Sequence, residues 1–442
     1  MKKQSLKKIE VNVKKTNIHS LRNIVKLLQK NKIPLLNLYF DNKNPPDFFK
    51  LKTLLYYLIN KYEDKTSIIF FNLPYCIMPD AEEHIVNPES ENKTKVQECK
   101  KCRFNGFCGG FPEKYENIKA QTIVDKPKEI SIELTTKCNL DCDFCFNKTT
   151  YNDDYSLDEE KVFSILEQTA KLGVKRIRFT GGEPLLDEKL SEYAEYAKKL
   201  DLEVWLNTNG FAVDRYTNDL LRLFDSVLIP FHGVRESRIT GKPKSTQRKI
   251  ETIKKIKKAK RNIFLRIGTV ILDKNLNEIE KIYNIVKLLK IKWELYRLIG
   301  NKNTINRPKD FQRLYDILFK IYLRDSKMFS VTNAFPFCLF NDMNKARLFS
   351  IGGFLDDGRD RIVINARGEA KPTYYSKDVL GSWKDIKSVW ENETMRKLRN
   401  LTYLPKKCKY CTYKSICRGG SRTLAKNEYG SYYGKDPVLE AF

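Results

Sequence analysis

The chain alternates between two hydrophobic rhythms. β-Branched and apolar residues gather in short runs at 130–135, 176–179, 202–206, 226–231, 263–272 and 293–299, lengths that suit strands buried on both faces. Between them, apolar positions recur at helical spacing over 157–172, 187–200 and 246–260. The first of these opens on Ser156-x-x-Glu159, a capping-box pattern, which predicts that Ser156 satisfies the first free amides of that helix. In the last, Ile250, Ile253, Ile256 and Ala259 share one face. Strands alternating with helices of this length predict βαβ units and a parallel sheet. Six units fit a partial (β/α)6 barrel better than a closed eightfold one.

A six-residue string, Asn23-Ile-Val-Lys-Leu-Leu28, recurs as Asn284-Ile-Val-Lys-Leu-Leu289. Each copy runs on into a strand-like stretch (33–40; 293–299), a loop with proline (Pro45 and Pro46; Pro308) and an amphipathic helix (48–62; 311–323). A second short strand then ends in Leu73-Pro-Tyr-Cys76 or Phe335-Pro-Phe-Cys338. The opening Asn and that Cys lie 53 residues apart in one copy and 54 in the other. Both copies then reach C-x2-C-x5-C: Cys99, Cys102 and Cys108 before Gly109-Gly110, and Cys408, Cys411 and Cys417 before Arg418-Gly419-Gly420. Order, spacing and cysteine pattern agree together, so the N-terminal segment reads as a duplicate of 284–420, with an insertion in the second copy between Cys338 and Cys408. The expected organisation is an N-terminal αβ domain over 1–118, a partial barrel over 126–335 and a C-terminal cysteine segment over 336–442.

A length of 442 residues, 41% of them hydrophobic, allows two or three domains with real cores. No apolar run approaches the roughly 18 residues of a membrane helix; the longest, 67–78, is broken by Asn72 and Pro74. The N-terminus lacks the apolar centre of a signal peptide, so the expectation is a cytoplasmic protein without membrane contact. Lys and Arg number 82 against 55 Asp and Glu, a net charge of +27. That excess suits a polyanion such as RNA, and equally a lysine-rich composition spread over solvated helix faces. The run 242–261 holds ten Lys or Arg and one acid, Glu251, but its isoleucine spacing marks a helix that covers the sheet and turns its charges to solvent.

Eleven cysteines and only three histidines (His19, His84, His232) in a cytoplasmic chain point to thiolate-rich metal or redox sites, either iron–sulfur or structural zinc. Cys138-Asn-Leu-Asp-Cys142-Asp-Phe-Cys145 follows the first barrel strand, where such sheets bind ligands. Three thiolates can hold three irons of a cubane and leave the fourth open. Zinc would want a fourth Cys or His nearby, and none follows before His232. Phe179-Thr-Gly-Gly-Glu-Pro184 ends the second strand. Gly181 and Gly182 let backbone come close to a ligand, and Glu183 offers a carboxylate to an ammonium. Asn207-Thr-Asn-Gly210 ends the third.

Taken together, these strings resemble the radical S-adenosylmethionine (SAM) superfamily over roughly 129–300: C-x3-C-x2-C with Phe144 before the last Cys, then Gly-Gly-Glu, then Thr-Asn-Gly. The resemblance implies a 4Fe-4S cluster on Cys138, Cys142 and Cys145, with SAM chelating the open iron. It also implies cofactor contacts from Phe144, Gly181, Gly182, Glu183 and Asn209. In that family an electron donor such as ferredoxin or flavodoxin reduces the cluster, SAM is cleaved, and a 5′-deoxyadenosyl radical abstracts hydrogen from a substrate. The fourth strand departs from the family pattern: Pro230-Phe-His232-Gly233 replaces a Ser-x-Asp-Gly-like string. His232 is accordingly a catalytic candidate at the barrel mouth, or a buried histidine held by backbone.

The C-terminal segment resembles the SPASM/twitch extensions of that superfamily, with Ser421 in place of the last Cys and Thr373 in place of a Pro-Cys cysteine. One fully ligated auxiliary cluster on Cys338, Cys408, Cys411 and Cys417 is therefore expected, and a second on Cys76, Cys99, Cys102 and Cys108. Zinc suits the same spacings. Since SPASM/twitch relatives often modify peptides or proteins, the expected substrate is a peptide or protein, with the auxiliary clusters in electron transfer. Two other readings stay open: radical SAM modification of tRNA, other RNA or a small metabolite, and a non-enzymatic, zinc-stapled RNA-binding protein.

Overall fold

The computed structural model describes residues 8–15, 21, 23–24, 27–28, 35–63, 66–116, 118–120, 122–147, 153–215, 218–259, 262–298, 308–325, 328–333, 335–340, 342–353 and 358–441. At the N-terminal end, β1 (Lys8–Val13), β2 (Leu35–Phe40), β3 (Ser67–Phe71) and β4 (Ile85–Val86) form a parallel sheet in that order. The helix Phe48–Tyr62 joins β2 to β3. It starts at Asp47, whose carboxylate accepts the Phe49 and Lys50 amides, and it buries Leu51, Leu55, Leu58 and Ile59 at helical spacing. An antiparallel ribbon of β5 (Lys93–Thr94) and β6 (Phe111–Pro112) flanks the first cysteine loop.

The larger sheet begins with β7 (Glu129–Thr135), β8 (Arg176–Gly181), β9 (Glu203–Asn207), β10 (Ser226–Pro230), β11 (Phe264–Ile271) and β12 (Lys292–Arg297), parallel and side by side in sequence order. These are the six expected strands, within two residues at each end. Beyond β12 lies β13 (Phe329–Val331). Beyond β7 lie β14 (Arg361–Ile364), parallel to it, and the antiparallel β15 (Glu369–Lys371) and β16 (Gly381–Ser382). Arg178 on β8 and Tyr296 on β12 perturb one another's ionisation, although four strand spacings in a flat sheet would set them about 19 Å apart. The sheet therefore curls.

Helices Glu159–Lys171, Leu190–Lys199, Ser245–Ala259 and Ile279–Leu289 pack apolar faces on it. The expected capping box is absent. Glu159–Lys171 starts after Asp158 with no side-chain cap, because Ser156 bridges to the end of β7 and its hydroxyl donates to Thr135 Oγ1 at 2.8 Å.

The sequence repeat has a structural counterpart. β1, β2 and β3 match β11, β12 and β13 in order and parallel pairing, and Pro308–Arg324 stands where Phe48–Tyr62 does. Phe71 pairs with Val86 as Val331 pairs with Ser350. Short 3-10 turns, Tyr75–Ile77 and Phe337–Leu339, carry Cys76 and Cys338. The string at 23–28 lies partly outside the described residues, whereas its twin closes the helix Ile279–Leu289. The two copies pack together: Leu35, Ile69, Phe71 and Val86 of the first sheet bury against Phe337, Tyr413, Ile416 and Cys417. Among the described residues no helix is long and apolar enough to cross a membrane.

Candidate functional site

The loop after β7 carries Cys138, Cys142 and Cys145, and backbone contacts from neighbouring strand ends fix its course. Gly182 N–H donates to Thr135 O at 2.6 Å and Glu183 N–H to Lys137 O at 2.8 Å. This approach requires both glycines. A Cβ on Gly181, whose φ is +128°, would sit 2.4 Å from Thr135 O, and one on Gly182 would sit 2.2 Å from Lys137 O. Farther along, Asp141 and Asp143 N–H donate to Thr240 and Ile239 carbonyls at 3.3 and 3.4 Å, and Lys274 pairs with Asp143. Phe144 packs on Ile239, Leu272 and Leu298.

Cys145 raises the pKa of Cys138, and both raise that of Cys142, which places the three thiols close together. Burial, the larger cause, and that repulsion push Cys142 up to about 12, against the pull of Lys249. Glu183 is wholly buried. Its carboxylate accepts Leu185 N–H at 2.9 Å, Thr208 Oγ1–H at 2.7 Å and Asn209 N–H at 2.7 Å, yet burial still pushes it up to about 7. In this arrangement Glu183 ties the end of β8 to the Thr-Asn-Gly turn after β9. Asn209 in turn reaches the cysteine loop: its Nδ2 donates to Asn139 Oδ1 at 2.7 Å and lies 3.6 Å from Cys138 Sγ. Phe144, Gly181, Gly182, Glu183 and Asn209 thus stand around the three cysteines at the C-terminal ends of β7, β8 and β9. Three thiols and a buried carboxyl with few nearby cations make a pocket of soft donors that favours positive charge, which fits an iron cluster bearing a sulfonium, ammonium-containing ligand.

His232 also lies here, its ring edge-on to Phe144 at 4.7 Å. Nδ1 accepts from Val270 N–H at 3.1 Å, while burial and Lys249 hold the imidazole well below its usual pKa, so it is neutral. Its backbone is pinned as well, N–H donating to Glu236 Oε1 at 2.8 Å and O accepting from Asn275 at 2.7 Å. The ring is buried, with Nδ1 held by backbone.

Sequence reasoning missed Lys249. It sits in the basic run read as solvated, but its side chain and that of Glu236 are both 0% exposed and pair at 2.7 Å beside the cysteines. The missed signal is periodicity, for Lys249 lies on the stripe of Thr252, Ile253 and Ile256. Below the site the sheet interior is polar. Arg178 binds Glu129 through two nitrogens, Arg266 binds Glu294, and Arg176, Arg178 and Arg266 lie 3.7, 4.8 and 4.4 Å from the Trp205 ring centre.

Each four-cysteine set converges. Cys76, Cys99, Cys102 and Cys108 line one small cavity with Phe104 and Gly110. Cys411 is near enough to raise the pKa of Cys338 and Cys408, and Cys338 and Cys408 are near enough to raise that of Cys417. Ser421, in place of the family's last Cys, caps the helix Arg422–Tyr429 by accepting Leu424 N–H, and Thr373 is buried with its hydroxyl accepting Tyr375 N–H.

A model of the Radical SAM superfamily matches residues 132–286. The AdoMet-dependent heme synthase of Methanosarcina barkeri (strain Fusaro / DSM 804) is 26% identical over 344 residues, covering 71% of this chain and 97% of that protein. The PqqA peptide cyclase of Bradyrhizobium diazoefficiens is 23% identical over 341 residues, covering 71% and 86%. Among solved structures, Streptococcus suis SuiB bound to S-adenosylmethionine matches with a TM-score of 0.56 at 16% identity, covering 72% of this chain and 78% of that one, a likeness of fold. SuiB has also been solved bound to its precursor peptide SuiA.

Proposed function

Starting from a chain that belongs to the radical SAM enzymes, we propose that it holds a 4Fe-4S cluster on Cys138, Cys142 and Cys145 and uses SAM to abstract hydrogen from a peptide or protein. The observation that carries the reading is the meeting of three thiols, two close-packed glycines and a buried carboxyl at the C-terminal ends of adjacent strands. Cluster and SAM together would supply the one-electron cleavage that generates a hydrogen-abstracting radical. The chain's own residues do the rest. Gly181, Gly182 and Glu183 lock the cysteine loop to β8, Asn209 orients Cys138, and Phe144 with neutral His232 forms an apolar wall that keeps water away. Arg176 and Arg266 crowd the Trp205 ring in the sheet interior away from the cysteines, which favours entry of substrate from the cysteine side.

The PqqA peptide cyclases and SuiB support a peptide substrate. The second reading, a small metabolite of tetrapyrrole type, draws on the heme synthase that aligns over 97% of its length. Both four-cysteine sets are read as auxiliary clusters that carry electrons from a ferredoxin- or flavodoxin-like donor, within three units at 1–118, 126–335 and 336–442. Incubating oxygen-protected, iron-reconstituted protein with SAM, dithionite and deuterated peptides tests this. The expected result is 5′-deoxyadenosine that carries deuterium and vanishes in Cys142→Ala. Label from tetrapyrroles alone would move the assignment to the second reading.

A further inference from the structure

We propose that the C-terminal cysteine segment is the docking surface for a small acidic protein carrying one electron at a time; this rests on the reading of Cys338, Cys408, Cys411 and Cys417 as a cluster. From Lys406 to Lys426 the chain contains Lys406, Lys407, Lys409, Lys414, Arg418, Arg422 and Lys426 and no acid. Lys406, Lys407 and Lys409 are exposed and make no ion pair among the described residues. Beside them in sequence, between Cys408 and Cys411, Tyr410 is 94% exposed, whereas Arg418 and Arg422 are buried. An exposed aromatic in the same short loop as three exposed lysines without ion pairs is the form of a contact that steers an acidic partner by charge and seats it on an apolar centre.

The cysteines identify the kind of partner. Cys338 is exposed and Cys408 and Cys411 are half-buried, so a carrier seated on Tyr410 comes close to their metal, and electron transfer weakens steeply with distance. The N-terminal set differs, since among the described residues no exposed aromatic stands in its cysteine loop and Lys95 is taken by Glu89. A packed route leads inward from the C-terminal set. Asp436, which accepts Ser421 N–H at 2.7 Å four residues past Cys417, also accepts both terminal nitrogens of Arg297 at 2.7 and 2.8 Å. The following residue, Leu298, packs against Phe144, the neighbour of Cys145. In the transfer, one electron leaves the reduced carrier and enters the four-thiolate cluster. The carrier is oxidised by one, the cluster is reduced by one, and no bond or proton moves.

The test uses the full, reconstituted protein with reduced flavodoxin. Carbodiimide cross-linking and peptide mapping of the wild type should join flavodoxin carboxylates to Lys406, Lys407 or Lys409. SAM cleavage driven by flavodoxin at low salt should fall at least about tenfold in Lys406→Glu/Lys407→Glu/Lys409→Glu. Cleavage driven by dithionite, which needs no docking, should be unchanged, and Lys100→Glu/Lys101→Glu should leave both drives unchanged. Cross-links elsewhere, or an unchanged flavodoxin rate in the charge-reversed protein, overturn the proposal. So does loss of salt-sensitive RNA binding in that variant with flavodoxin kinetics intact, since the patch would then serve nucleic acid. Should dithionite fail to drive cleavage in the wild type, the radical SAM reading falls, and cross-linking still decides the docking surface. Should the charge-reversed protein misfold, Tyr410→Ala and the wild-type cross-links decide it.

Discussion

Substituting alanine at Gly182 probes the construction of the site at a single atom. Gly182 does not occupy the left-handed region, so alanine is acceptable there in backbone terms, and the whole penalty comes from contact. The new Cβ would stand 2.2 Å from Lys137 O and 2.5 Å from Thr136 O. A carbon–oxygen contact relaxes to about 3.3 Å, so the strand end and the loop that begins the cysteine string must part by about 1 Å. Both neighbours are backbone, and no side chain can swing aside. A displacement of that size at reacting groups costs on the order of a hundredfold in rate. Gly182→Ala should therefore keep its parallel sheet and bind iron, yet cleave SAM about a hundredfold more slowly when dithionite is the reductant. Circular dichroism, iron content and 5′-deoxyadenosine release measure the three parts. A variant with wild-type cleavage would refute the claim that close packing of Gly182 on residues 136–137 positions the cysteine loop.

Two further outcomes test the charges around the site. Lys249→Met leaves the Glu236 carboxylate buried and unpaired, so guanidinium unfolding should show a loss of about 3–5 kcal/mol, while Lys249→Met/Glu236→Gln should recover most of it; equal losses in single and double variants would show that the pair is not coupled. For Glu129, burial opposes its charge, but Arg178, Arg361 and Arg176 outweigh burial and hold the carboxyl far below its usual range. The stability it contributes is therefore present above the ordinary carboxyl pKa of about 4.3 and is lost as pH falls toward the depressed folded value. Glu129→Gln should be less stable at pH 7 and approach the wild type below about pH 4; a pH-independent gap would contradict this.

The elements that carry the site were legible because burial on both faces writes short apolar runs into β7 to β12, and because the cysteine strings and Gly-Gly-Glu fall at strand ends. The duplication was legible too, since spacing survives where side chains drift. The flanking strands were harder. β15 and β16 have three and two residues, too few to show a period, and their pairing depends on β14 docking beside β7. Ser156 misled because its hydroxyl had two possible partners, and the strand end won over the helix amides. Lys249 was hidden by composition, as one lysine of a basic run looks like its neighbours until helical phase places it inward. The polar sheet interior was written in alternation, Arg176 with Arg178 and Glu294 with Tyr296, which marks an inner face that is wet or ion-paired and not apolar.

The central claim is that Cys138, Cys142 and Cys145 hold a cluster with one open iron. Its most direct test is metal analysis of oxygen-protected wild type beside Cys138→Ala/Cys142→Ala/Cys145→Ala, with SAM cleavage measured on the same samples. The account predicts that the wild type carries about four more irons per chain and that only it forms 5′-deoxyadenosine. Equal iron in the two proteins, or zinc that disappears with the three cysteines, would contradict it.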